Sequence, residues 1–285
     1  MNAMTKRTRL SLICATPLLI GVLSCSSQNS SEERRQPLEA QGGGADEPSE
    51  MNGGSRDPRC INPDSADATA NCLTPSLDPA YYVAQAESYF DTLDIDAPRE
   101  SVPLYHVQVA RWEWPPWLLL TGYGAEDMIT TGDLLRAIDP STVPVRDCRF
   151  FERQPFARCY VEFEYHRGRC PIYEEFTFNQ SGEMTFIEAW SNLPDLLPEV
   201  LDDPWAEASD FPRLSTRIPG LGSDTGSIDL ESDAMREVAM RDADVADFAT
   251  RATDWGMYWR EALGEAEPDF FGVGCGWPPE EGSQD

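Results

Sequence analysis

The sequence is almost without lysine. Of its 22 basic residues only Lys6 is one, and it stands within the first ten residues. Schiff-base chemistry and a lysine-dependent phosphate loop both need an amine, so the body of the chain has neither. Histidine is nearly as scarce, with only His106 and His166. No two cysteines have the short spacing of a zinc site, so no metal is expected and no cofactor is implied. A Gly-x-Ser-x-Gly elbow is missing, and no cysteine stands near a histidine as a nucleophile would. Positive charge is short as well: 50 acidic residues face 22 basic ones, for a net charge of −28. Nucleic acids and anionic membrane surfaces attract the opposite field, so neither is expected as a charge-driven partner. The acidic run from Asp224 to Asp233 lacks the residue order of a calcium loop. What is present, 41% hydrophobic and 10% aromatic residues, is enough for a packed core.

The opening of the chain reads as an address. Lys6, Arg7 and Arg9 precede an apolar run from Leu10 to Leu23 that only small or polar residues interrupt. This is the pattern of a secretory signal, too short to remain as a membrane-spanning helix. Its end, Val22-Leu23-Ser24-Cys25, resembles a bacterial lipobox. The resemblance implies removal of residues 1–24 and lipidation of Cys25, a membrane anchor held by ~0.8 kcal/mol per buried methylene. A plain secretory signal with a chance cysteine is the alternative. Ser26 in the following position resembles lipoproteins sent to the outer membrane. Residues 25–75 are expected to be a disordered tether. Their first part is rich in Ser, Gln, Glu and Gly and has too few aliphatics to offset its chain entropy. Its reach is about 30 Å.

Beyond Cys14 and Cys25 there remain Cys60, Cys72, Cys148, Cys159, Cys170 and Cys275. An even number in an exported chain suggests disulfides, whose connectivity spacing alone leaves open.

Residues 76–193 carry the clearest periodicity. Asp78-Pro79 caps a helix over 79–93 with Tyr82, Ala86, Tyr89 and Leu93 inward. A strand over 107–114 ends at Pro115-Pro116, and a turn at Gly122-Tyr123-Gly124 opens a second helix, 125–138, with Met128, Ile129, Leu135 and Ile138 apolar. Four alternating segments follow, near 143–151, 156–165, 171–178 and 183–190, and read as an antiparallel meander. The class is therefore α+β. Residues 194–285 begin with scattered prolines, suggesting a segment wrapped over the sheet. A helical stretch over 232–263 follows, with Met235, Val238, Val245, Phe248 and Ala252 as an imperfect stripe.

The segments WEWPPWLLLTGYGAEDMITTGDLL and ARCYVEFEYHRGRCPIYEEFTFNQSGEMTFIEAWSN resemble the nuclear transport factor 2-like superfamily, which includes ketosteroid isomerase-like and polyketide cyclase-like proteins. The resemblance spans about 115 residues and rests on pattern, most of all on the hairpin from Phe176 to Trp190. It implies a cone-shaped curved antiparallel sheet closed by N-terminal helices around an apolar cavity.

Turn lengths then give registers. A loop Gln180-Ser181-Gly182 pairs Phe178 with Met184, Phe176 with Phe186, Glu174 with Glu188 and Ile172 with Trp190. A turn at Arg167-Gly168 adds Cys159, Val161 and Phe163 to the same face. That face is apolar except for Glu174 and Glu188, while the reverse face, with Tyr160, Glu162, Tyr173, Glu175 and Thr177, reads as solvated. Two opposed carboxylates on an apolar face raise each other's pKa and can share a proton as general acid and base. A structural clamp by Arg111 or Arg136, or a slip of register, is the alternative. Tyr89, Trp114, Tyr123, Phe176, Phe186 and Trp190 are the candidate ligand-lining residues, although Trp112, Trp114 and Trp117 could simply fill the space. A turn at Arg153-Gln154 sets Cys148 opposite Cys159 as a disulfide. Cys60–Cys72 is then a local loop, and Cys170 is left for Cys275.

Three functions remain open. The first is a lipid-anchored protein binding a small apolar ligand. The second is an isomerase, dehydratase or cyclase using the paired glutamates. The third is a surface interaction protein with a filled cone, whose protein partner the sequence does not name.

Overall fold

The computed structural model describes residues 73–98, 102–114, 121–193, 205, 213–254 and 275–277. The signal segment, Cys25, most of the tether, the Cys60–Cys72 pair, Trp117 and everything from 255 to 274 lie outside the described residues.

Among the described residues the fold is mixed α+β, with a six-stranded sheet and four helices. In chain order the elements are α1 (Pro79–Leu93), β1 (Tyr105–Glu113), β2 (Gly122–Tyr123), α2 (Ala125–Ile138), β3 (Thr142–Phe150), β4 (Ala157–Tyr165), β5 (Gly168–Phe178), β6 (Met184–Ser191), α3 (Asp233–Ala239) and α4 (Ala243–Thr253). The sheet order is β2-β1-β6-β5-β4-β3. Strands β3 to β6 form the expected antiparallel meander. Strand β1, however, runs parallel to β6, which corrects the wholly antiparallel expectation. Hairpin signals fix direction only for strands that a short turn joins, and β1 reaches β6 across five intervening elements.

Helix α1 forms where the sequence signals it. The Asp78 carboxylate accepts the Ala80 N–H at 2.8 Å, Pro79 occupies the first turn, and Tyr82, Ala86, Tyr89, Phe90 and Leu93 are buried. In α2 the buried stripe is Met128, Thr131 and Gly132, whereas Ile129 and Ile138 are exposed. Apolar character thus misplaced part of that face.

One register holds, one slips by two residues and one breaks. Cys148 pairs with Cys159, as the turn arithmetic requires, and the two form a disulfide; Cys170 bonds Cys275. Between β4 and β5 the turn lies at His166-Arg167, with Tyr165 paired to Gly168. The slip is two residues, so every side chain keeps its face. The β5–β6 hairpin begins as expected. Asn179 Oδ1 accepts the Ser181 and Glu183 N–H groups, Gly182 takes φ +79, and Phe178 pairs with Met184. The register then shifts at Thr185, so that Thr177 pairs with Phe186, Glu175 with Glu188 and Tyr173 with Trp190. This is a β-bulge, and one extra residue flips everything after it to the other face.

The tail occupies the space that the bulge requires. Gly226 lies so close to Thr185 that a Cβ would come within 2.6 Å of its methyl group. Asn179 Nδ2 donates to the Thr225 carbonyl and the Gln180 N–H to the Asp224 carbonyl, each at 3.0 Å.

Consequently there are two cores. One, on the helix face, joins α1 and α2 to Val109, Cys159, Val161, Phe163, Ile172, Phe176, Phe178, Met184 and Ile187. The other, on the tail face, joins Ala110, Trp112, Trp114, Phe186 and Trp190 to Leu214, Ile218, Leu221, Ile228, Met235, Val245 and Phe248. The reverse face is therefore not solvated throughout, because residues 213–254 bury Glu175, Thr177 and Arg158.

Candidate functional site

Glu174 and Glu188 do not meet. Glu174 projects into the helix-face core and Glu188 into the tail-face core, with Ala189 paired to the first and Glu175 to the second. The single-residue bulge is the reason, and it removes the basis of a shared-proton pair. Trp114, Tyr123, Phe186 and Trp190 pack with Glu188 on the tail face, while Tyr89 and Phe176 stay with Glu174.

On the tail face the glutamates are structural. Glu188 Oε1 accepts Trp114 Nε1–H and the Leu214 N–H, both at 2.7 Å, and Oε2 accepts the Ser215 N–H at 3.1 Å. The carboxylate thereby caps the 3-10 turn Leu214–Thr216. Glu175 lies between two guanidinium groups, Arg158 at 2.6 Å and Arg213 at 2.6 Å. Burial works against its charge, but the two arginines outweigh it and hold its pKa below the usual carboxylate value. Glu188, with no such partner, has its pKa raised by burial and by Glu175. Tyr123 donates to the Ile228 carbonyl at 2.7 Å, and Trp190 stacks on Tyr173. These aromatics fill space and fasten the tail.

On the helix face the chemistry is different. Strand β1 turns Arg111 and Glu113 inward beside Glu174 of β5, and α1 brings Tyr89 above them. Arg111 Nη1 is 2.7 Å from Glu113, Nη2 donates to Glu174 Oε1 at 3.0 Å, and Nε donates to the Tyr89 hydroxyl at 2.9 Å. The Tyr89 hydroxyl is also hydrogen-bonded to Glu174. All four residues are buried. Arg111 is thus a clamp, as the alternative reading had it, but on Glu113 and Glu174 rather than on Glu188. Arg136 serves elsewhere, donating to the carbonyls of Asp91 and Asp94 at the end of α1.

Beside this cluster lies a cavity of about 30 Å³, room for about two waters. Its walls are Leu93, Leu135, Phe163, Cys170 and Ile172; its polar groups are Arg111, Glu113, Asp139, Ser141, Tyr165 and Glu174. Oε2 of Glu174 is buried without a hydrogen-bond partner among the described residues. Burial pushes the Glu174 carboxyl up to about 7, against the pull of Arg111. Asp139 is also raised by burial, with His166 and Arg167 opposing, and burial raises the Tyr165 phenol. A carboxyl poised near neutrality in an apolar pocket can exchange a proton with a ligand or bind it in charged form.

Of the residues singled out in the sequence, Glu174 lines the cavity, as do Phe163 and Ile172 of the same apolar face, whereas none of the six candidate ligand-lining residues does; Glu113, Asp139 and Tyr165 were missed. Of these, Glu113 carried a signal, since alternation along β1 places it with Arg111. Asp139 and Tyr165 converge only through the packing of α2 on the sheet, which no local pattern announces. His106 does not line the cavity; its Nδ1 accepts the Gln108 N–H. No group of acidic, cysteine or histidine residues among those described could hold a metal ion.

No family model matches the chain, and no curated protein is similar to it. Among solved structures, a candidate polyketide cyclase from Pseudomonas putida is 11% identical, covering 42% of this chain and 97% of its own, with a TM-score of 0.33. A hypothetical protein with a ketosteroid isomerase-like fold from Catenulispora acidiphila, in complex with trimethylamine, is 12% identical, covering 45% and 94%, with a TM-score of 0.27. Likeness at that level assigns neither a family nor an activity.

Proposed function

We propose that this is an exported, lipid-anchored protein with a nuclear transport factor 2-like body that holds a small ligand in the cavity beside Glu174. One observation carries the reading: Glu174, whose Oε2 is buried without a hydrogen-bond partner among the described residues, lines a cavity whose walls are largely apolar. Binding sites combine such walls with a few convergent polar groups. Leaving the oxygen unpaired costs about 1–3 kcal/mol, which a ligand able to hydrogen-bond it returns. At about 30 Å³ the cavity takes a molecule of a few heavy atoms, or the end of a longer one, and not a whole polyene or polycyclic ketone. Any proton transfer belongs to Glu174 alone, with Arg111 and Tyr89 holding it in place.

The test is methyl NMR with fragments of four or five heavy atoms. The methyl signals of Leu93, Leu135 and Ile172 should move on binding, while those of Leu214, Ile218 and Ile228 across the sheet stay put. A fragment set that moves neither group refutes the reading. The anchor is tested separately. Cys25→Ser should release the protein from membranes, and unchanged membrane retention would reject lipidation.

A further inference from the structure

The cavity's charge goes beyond that reading and, resting on it, specifies the ligand. Three carboxylates line the space, from Glu113, Asp139 and Glu174, against the single guanidinium of Arg111. That guanidinium already serves Tyr89, Glu113 and Glu174. From the β4–β5 turn, Arg167 and His166 act on Asp139. Counting Arg167 as well, an ionised Glu174 still leaves one negative charge in excess, and the body of the chain has no lysine to supply an ammonium. Anionic ligands are repelled by three acids. A neutral acceptor has to find Glu174 protonated, and even then meets Glu113 and Asp139.

We infer that the ligand is a small organic ammonium cation, its N–H donated to Oε2 of Glu174 and its carbons against Leu93, Leu135, Phe163 and Ile172. The charged and titratable groups around Glu174 are Tyr89 from α1, Tyr105, Arg111 and Glu113 from β1, Asp139 at the end of α2, and Tyr165 from β4. Only Arg111 opposes a cation, and the acids on either side of it offset its charge. A charge-assisted N–H···O bond to a carboxylate is the strong kind.

The experiment compares two probes of equal size, isopropylammonium and acetone, on the intact protein by methyl NMR titration. The amine stays protonated throughout the range used. With the carboxyl near 7, the ionised fraction rises from about 3% near pH 5.5 to nearly all near pH 8.5, so affinity for the cation should rise about 30-fold. Glu174→Gln should lose both the binding and its pH dependence, while Leu214 and Ile228 signals show the variant folded. Should that variant not fold, the pH profile of the native protein decides alone. Acetone binding in place of the amine, or amine binding that is flat with pH, overturns the cation and leaves the small-ligand reading intact. If neither probe nor any other fragment moves the cavity methyls, both fall.

Discussion

The clearest quantitative consequence concerns Glu174 and the pH dependence of folding. Its carboxyl titrates at about 7 in the folded protein, against 4.5 for an ordinary glutamate. Between those values the native state holds a proton that the unfolded chain has released, so stability falls as pH rises through this window. The contribution is complete below 4.5 and gone above 7. At ~1.4 kcal/mol per pH unit the rise corresponds to about 3 kcal/mol. Glu174→Gln removes the titration while keeping an acceptor for Arg111. Urea unfolding of both proteins with disulfides intact, at about pH 4 and about pH 8, isolates the effect, because all other titrating groups are common to both. The native protein should lose about 3 kcal/mol relative to the variant over that interval, a difference of about 1 M or more in urea midpoint for a typical m-value. Parallel profiles would refute the argument. A native protein that gains on the variant as pH rises would show that Arg111 outweighs burial.

Other expectations follow from the tail face and the disulfides. Arg213→Met leaves Glu175 buried with Arg158 as its remaining guanidinium and should cost about 3 kcal/mol by denaturation. A loss under 1 kcal/mol would mean that the clamp contributes little. Glu188→Gln cannot accept Trp114 and both backbone N–H groups through one carbonyl oxygen, and should lower stability by about 1–3 kcal/mol, with increased protease cleavage near Leu214; unchanged cleavage would count against the cap. Removing Cys170–Cys275, which spans 105 residues, should cost more than removing Cys148–Cys159, which spans 11. The chain-entropy expectation is about 4–5 against about 3 kcal/mol, and thermal unfolding of the two double variants gives the order.

The elements were legible wherever chemistry repeats locally. Asp78-Pro79 announced α1, and its boundaries agree with the structure. The turn between Cys148 and Cys159 gave the disulfide because hairpin registers add up from loop length. Arithmetic failed at Thr185, since nothing in Met184-Thr185-Phe186 distinguishes a bulge from regular alternation. The group packed against the bulge lies some forty residues downstream, where Gly226 seats against that threonine. From there the error spread to Phe186, Glu188 and Trp190 together, and with them went the carboxylate pair. The acid at position 174 survived because β5 itself has no irregularity. Its true company, Arg111 and Glu113, comes from a parallel neighbour whose direction no turn specified.

Glu174 and Glu175 are consecutive in the chain yet point into separate compartments, and their environments displace their proton affinities in opposite senses. As acidity increases, the helix-side carboxyl discharges first, near neutrality, while its neighbour keeps its charge and its grip on Arg158 and Arg213. Mild acid therefore takes the charge of Glu174 out of the cavity without unfastening the C-terminal strap. Only stronger acid reaches the second lock, so one backbone step separates a reversible response from the onset of unfolding.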